Sequence, residues 1–179
     1  VVITGMGAVN PLGLSVEESW KNMIAGKSGI GPITLFDAGE FPVRVAGEVQ
    51  NFDFDFWRKE TKELSEAGRS TFFALQAAQE AFEDAQLKIN EENPERLGLY
   101  FAAGDWGINL AGFVATMSSA WGDNGFLVDP GKYVAKSRDY LEGQREHEIQ
   151  PFMTVKHLAA RIGIQGPVSN CLTACAASS

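Results

Sequence analysis

Residues 166–179 read Gly-Pro-Val-Ser-Asn-Cys-Leu-Thr-Ala-Cys-Ala-Ala-Ser-Ser, and this stretch constrains the chain most. A Gly-Pro turn leads into a short strand-like run over 168–172. Thr173, Ala174 and Cys175 then open a series of small residues suited to close packing where a helix begins. The pattern predicts a thiol at a strand-to-helix corner. A cysteine there sits at the positive end of the helix dipole, among unpaired backbone N–H groups, which favours thiolate over thiol. Its small neighbours leave room for a substrate carbonyl. The competing reading is a buried structural cysteine, because free cysteine is among the most buried residue types and most are inert.

With 179 residues, 45% of them hydrophobic, the chain is long enough for one ordinary domain. A formal net charge of -8 argues against nucleic-acid or anionic-membrane partners, both of which need a basic patch. The sequence shows no apolar run of the roughly 18 to 20 residues a membrane span needs, and no signal peptide at its start. Cytoplasmic placement is expected. Cys171 and Cys175 are the two cysteines, and with two histidines at their spacing they assemble neither a zinc quartet nor a CxxC redox pair. No metal or cofactor site is expected. The chain opens at Val1 inside an apparent strand and stops four residues after Cys175, so a fragment of a longer protein is expected.

In chain order, the β-branched run over 1–4 predicts a buried strand, with a tight turn next at Gly5 and Gly7. A dinucleotide fingerprint fails on spacing, because Asn10 holds the third glycine position and Pro11 comes after it. Ser15-Val-Glu-Glu18 reads as a capping box ahead of a helix with Trp20, Met23 and Ile24 on one face, closed by Gly26. The segment 43–49 reads as an edge strand or hairpin arm. Residues 52–57 alternate aromatics with Asp53 and Asp55, which predicts an extended segment burying Phe52, Phe54 and Phe56 over a functional acid pair. A long helix is expected over 64–87, with Phe72, Leu75, Ala78, Phe82 and Ala85 on one stripe. Asn93-Pro94 marks a break, and 97–102 reads as a central strand ending in a glycine-containing turn, where parallel-sheet proteins place binding surfaces. The next helix is expected over 108–120. The polar stretch at about 122–150, with a short helix over 132–141, is longer than such connections usually run. It is expected to be an insertion over the site mouth or a subunit contact. Helical spacing resumes over 154–162. His147 and His157 are expected at the surface.

The two ends, Val1-Val-Ile-Thr-Gly-Met-Gly-Ala-Val-Asn-Pro-Leu-Gly13 and Gly166-Pro with Thr173-Ala-Cys-Ala-Ala-Ser178, resemble those of the N-terminal half of a beta-ketoacyl synthase, a condensing enzyme of the type II kind. The resemblance runs nearly the whole chain. It implies an α/β chain, the N-terminal half of a thiolase-like layered α/β/α fold, with residues 1–179 as one such domain. It implies that Cys175 takes the acyl group and condenses it with malonyl carrier protein in fatty-acid or polyketide synthesis. The enolate-stabilising histidines would come from the C-terminal half, so these residues alone are expected to be inactive. The implied partners are an acyl carrier protein bearing acyl and malonyl thioesters, and a second subunit in a homodimer or related heterodimer, with the strand before Cys175 near the interface. A thiolase acting on coenzyme A thioesters and a noncatalytic partner subunit are the alternatives.

This chain departs from the family pattern twice. Type II synthases often carry a Lys-x-x-Arg-Lys run before the long helix, whereas here Lys62-Glu-Leu precedes Ser65 and Glu66, which weakens attraction for an acidic carrier protein. Either docking through Arg58, Lys59 and Arg69 or a different partner is expected in its place. The other departure is 102–107, where Asp105 and Trp106 replace small residues and put the usual acyl-pocket assumptions in doubt.

Overall fold

The computed structural model describes residues 1–60, 62–88, 94–104, 108–122 and 127–177. Its centre is a parallel pair of strands, β3 (Leu99–Ala102) and β4 (Val168–Cys171), in register from Leu99 opposite Val168 to Ala102 opposite Cys171. Parallel strands need a long crossover. Here it contains α4 (Leu110–Ser119), α5 (Pro130–Tyr140), α6 (Gly143–Glu148) and α7 (Pro151–Ile162). Ahead of β3 lie α1 (Val16–Ile24), the antiparallel hairpin β1 (Ile30–Pro32) with β2 (Val45–Gly47), α2 (Phe54–Glu60) and α3 (Arg69–Asp84).

The core forms where α3 and α7 cover one face of the strand pair. Trp57, Leu64, Phe72, Leu75, Leu158 and Ile162 are buried together, with Leu99 and Phe101 of β3 packed against them. Burying side chains of this size stabilises by about 1.5–3 kcal/mol each. On the opposite strand face Tyr100 is exposed, as the two-residue alternation of a strand requires. The combination is α/β, with a helical layer on one side of the sheet.

Helix ends obey local chemistry. Ser15 Oγ accepts from the Glu18 N–H at 3.2 Å, and Gly26 closes the helix at φ 68. Glu18 completes the cap one residue earlier than a standard box, its carboxylate accepting from the Leu14 N–H at 2.8 Å. Asp129 caps α5 through the Lys132 N–H with Pro130 in the first turn, and α7 begins at Pro151 and ends at the left-handed Gly163.

Several expectations are corrected. Residues 1–4 form no strand, and Val1, Val2 and Ile3 are exposed, because no neighbouring strand is hydrogen-bonded to them. Residues 5–8 are instead pressed against α3. A Cβ on Gly7 would collide with the Ala77 carbonyl, and the Met6 and Ala8 N–H groups donate to Asp84 and Glu80 at 2.9 Å. Trp20, Met23 and Ile24, expected on one face of α1, are exposed.

The aromatic run at 52–57 is helical from Phe54, with Asp53 accepting from the Phe56 N–H at 2.9 Å. Helical spacing turns Trp57 into the core, 2% exposed, and leaves Phe56 outside. The long helix spans Arg69–Asp84, preceded by a 3-10 turn at Lys62–Leu64, so it is shorter than its periodicity suggests. The polar stretch holds a helix at Pro130–Tyr140 and a second, unexpected one at Gly143–Glu148. His157 is 5% exposed, not at the surface, because Glu148 supplies a buried partner; His147 is exposed as expected. Asn93, Asp105 and Trp106 lie outside the described residues. Among the described residues no helix is long and apolar enough to cross a membrane.

Candidate active site

β4 ends at Cys171, whose carbonyl accepts from the Ala103 N–H at 3.1 Å and prolongs the parallel ladder past Ala102. The chain then turns sharply. Ala174 takes φ 48, a left-handed conformation that costs a non-glycine residue about 1–2 kcal/mol. Residues Ala174–Ala176 form a 3-10 turn, closed by Ala176 N–H to Thr173 carbonyl and Ala177 N–H to Ala174 carbonyl, both at 3.1 Å. Ala177 is buried and anchors the turn, whereas Cys175 is exposed. The thiol is thus held at a strand-to-turn corner. The expected helix beginning at Cys175 is a 3-10 turn over the described residues, and Ser178 and Ser179 lie outside them. An exposed thiol on a fixed corner has an open approach for an electrophile.

Cys171 adds a second thiol. Thr173 Oγ1 lies 3.6 Å from its sulfur, and the Tyr100 hydroxyl of β3 is near enough to act on it. The Tyr100 hydroxyl first, and Thr173 second, hold the Cys171 thiol below the ordinary cysteine range; the same contact raises Tyr100. In the sequence Cys171 carries no expected role, since its spacing to Cys175 and the histidines fits neither a metal site nor a redox pair. The signal for its polar setting is the cross-strand register, which composition does not carry.

The expected docking cations separate. Arg58 of α2 and Arg69 of α3 line one cleft of about 540 Å³ around Ser65 and Glu66, and Arg145 of α6 joins them. Arg69 lies 4.4 Å from the Phe54 ring centroid, close enough for a cation–π contact that orders the guanidinium. Arg58 is 3.9 Å from Asp55, at a partly exposed position where such a pair contributes little. Lys59 projects instead toward Asp53, Asp55 and Phe56. Arg145 is an addition that sequence does not announce, because only the fold brings α6 beside the start of α3.

Neither histidine stands with Cys175. His147 stacks edge-on against Phe152, and His157 Nε2 is 2.7 Å from Glu148 Oε2 inside the fold.

Comparison with solved structures places this architecture among ketosynthases of thiolase-like fold. The ishigamide ketosynthase/chain length factor superposes with a TM-score of 0.69 at 23% identity, covering 97% of this chain and 39% of that one. A type II polyketide ketosynthase, AntDE, solved with its acyl-carrier protein AntF and bound to the hexaketide, gives a TM-score of 0.64 at 26% identity, over 98% of this chain and 38% of that one. The family model described as beta-ketoacyl synthase, N-terminal domain, matches residues 1–179, and the chain belongs to that family. Similar relatives include the 3-oxoacyl-(acyl-carrier-protein) synthase 2 of Coxiella burnetii, 32% identical over 98% of this chain, and that of Synechocystis sp., 33% identical over 100% of this chain. The chain spans 38% and 39% of those relatives.

Proposed function

We propose that the protein is a beta-ketoacyl-acyl-carrier-protein synthase, with Cys175 as the residue that carries the acyl group. The observation that supports this reading is the exposed Cys175 thiol on the turn after β4, in a chain whose relatives are named 3-oxoacyl-(acyl-carrier-protein) synthases. In the first half-reaction the Cys175 sulfur attacks the thioester carbonyl of an acyl carrier substrate. A C–S bond forms, the old C–S bond breaks, and the carrier thiol leaves with the proton. In the second, a malonyl carrier thioester loses carbon dioxide to give an enolate, whose carbon attacks the Cys175 thioester. A C–C bond forms, and the Cys175 sulfur is released.

The histidines for enolate stabilisation are supplied from outside residues 1–179 in this reading, which makes 1–179 the N-terminal half of the fold and inactive alone. The segment at about 122–150 is, in this reading, an insertion over the site mouth or a subunit contact. The carrier protein docks on the cleft of Arg58, Arg69 and Arg145, whose charge suits an acidic partner in a chain of net charge -8. Pairing as a homodimer or related heterodimer, and a cytoplasmic location, complete the reading.

The test is turnover by the full-length protein with acyl and malonyl carrier thioesters. Release of carbon dioxide with formation of a 3-oxoacyl thioester, abolished in Cys175→Ala, is expected. Unchanged condensation in that variant would contradict the reading.

A further inference from the structure

The turn that carries Cys175 is strained at one residue and tied at both ends. Ala174 holds φ 48, a left-handed conformation that is costly for a residue with a Cβ and persists only where its surroundings fix it. On the far side the tie is Ala177, 3% exposed, whose N–H donates to the Ala174 carbonyl at 3.1 Å. On the near side Leu172 is 51% exposed and gives the turn little packing. The link to β4 falls to Thr173.

Thr173 is bonded in both directions. Its carbonyl accepts from the Ala176 N–H at 3.1 Å, which closes the turn. Its hydroxyl makes no capping bond within the turn. That oxygen lies instead 3.6 Å from Cys171 Sγ, within hydrogen-bond reach of an atom as large as sulfur. Cys171 is itself fixed, because it is paired with Ala102 in the parallel register and its carbonyl accepts from the Ala103 N–H at 3.1 Å. The side-chain bond therefore fastens the residue that opens the turn to the last residue of β4.

We infer that Thr173 is a positioning residue for Cys175, and that the Cys171 sulfur is the fixed point to which it is held. The bond keeps Ala174 in its strained conformation and so sets the direction from which the Cys175 sulfur meets a thioester carbonyl. Its consequence for catalysis rests on the acyl-transfer reading, and it gives Cys171 a part in the site that needs no acylation of Cys171. Orientation of a nucleophile acts on the rate of attack, and a displacement on the order of 1 Å can cost about a hundred-fold.

Single-turnover acylation of the full-length protein by an acyl carrier thioester, with hydrogen exchange on the same variants, tests it. In Thr173→Val, which keeps the shape and loses the hydroxyl, the maximal acylation rate of Cys175 should fall about ten-fold while the half-saturating carrier concentration stays unchanged. Thr173→Ser should restore most of that rate. Cys171→Ala should show the same loss, and the double variant no more than either single one, as two ends of one bond require. Exchange of the Ala176 and Ala177 N–H groups should quicken several-fold in Thr173→Val and Cys171→Ala, while the Leu99 N–H, bonded to the Pro167 carbonyl at 2.9 Å, keeps its rate. Unchanged exchange at both alanines, an unchanged maximal rate in Thr173→Val, additive losses in the double variant, or a loss that Thr173→Ser does not repair would overturn the proposal. Exchange is read without an acyl donor, so it decides whether the bond holds the turn independently of acylation, and an unaltered protein that leaves Cys175 unacylated would overturn the acyl-transfer reading.

Discussion

Two thiols four residues apart sit in different chemistry. Cys175 is legible from sequence because everything that places it is local: a Gly-Pro turn, a strand-like run, then small residues. Cys171 is not, because its setting depends on Tyr100, some seventy residues away and adjacent only through the parallel register. A hydrogen bond donated to sulfur favours the thiolate, so the Cys171 pKa lies below the ordinary value. Removing the donor must raise it. In Tyr100→Phe the pH midpoint for alkylation of Cys171 by iodoacetamide is therefore expected to move upward, read by peptide mass spectrometry across a pH series. A downward or absent shift would contradict the contact. The Glu148–His157 pair is equally hidden, its members lying on two helices on either side of Pro151. With no partner in view, surface placement is the default for a histidine such as His157.

Among the elements, helices are readable in place more than in bounds: α1, α4, α5 and α7 begin and end within a few residues of where spacing puts them, whereas α3 is shorter than its expected span. Alternation misleads at 52–57, since five residues of Phe-Asp-Phe-Asp-Phe fit a strand face as well as a helix start, and the cap at Asp53 decides. The stretch 1–4 fails for another reason: strand propensity forms no strand without a neighbour to bond. What secures the N-terminal region is Glu80 of α3, whose two oxygens accept from the Ala8 N–H at 2.9 Å and the Val16 N–H at 2.8 Å. Glu80→Ala leaves both donors unmet and should lower stability by about 1–3 kcal/mol in a urea titration of the full-length protein. A loss within a few tenths would show that water replaces the carboxylate. In the hairpin, Glu48 accepts from the Thr34 hydroxyl at 2.6 Å and from the Thr34 and Leu35 N–H groups, and the Thr34 hydroxyl leads in holding its pKa below the usual range. A carboxyl depressed on folding adds stability above its unfolded pKa of about 4.3, lost as pH falls through the lower folded value. Hydrogen exchange at Thr34 and Leu35 should accelerate in that acid window, beyond the intrinsic rate, and Glu48→Gln should remove the pH dependence.

For the molecule as a whole, α3 and α7 over the strand pair make a rigid base, and Cys175 stands on the turn that this base supports. Phe72 is fully buried at its centre, so Phe72→Ala is expected to cost about 3–5 kcal/mol, measured by denaturant midpoint. The arginine cleft belongs to this scale because three elements, α2, α3 and α6, contribute to it. Replacing Arg58, Arg69 and Arg145 together by glutamate should raise KM for an acidic carrier substrate at least several-fold at low salt, with the difference shrinking as salt rises. An unchanged KM would place docking elsewhere. The central claim is that one sulfur, Cys175, receives the acyl group. Incubation of the full-length protein with an acyl carrier thioester, then digestion and peptide mass spectrometry, tests it most directly. The acyl mass should appear on the Cys175 residue of the peptide containing 171–175, and should disappear in Cys175→Ala while Cys171 stays unmodified. An acyl mass on Cys171 or on any other peptide, with Cys175 bare, would contradict the account.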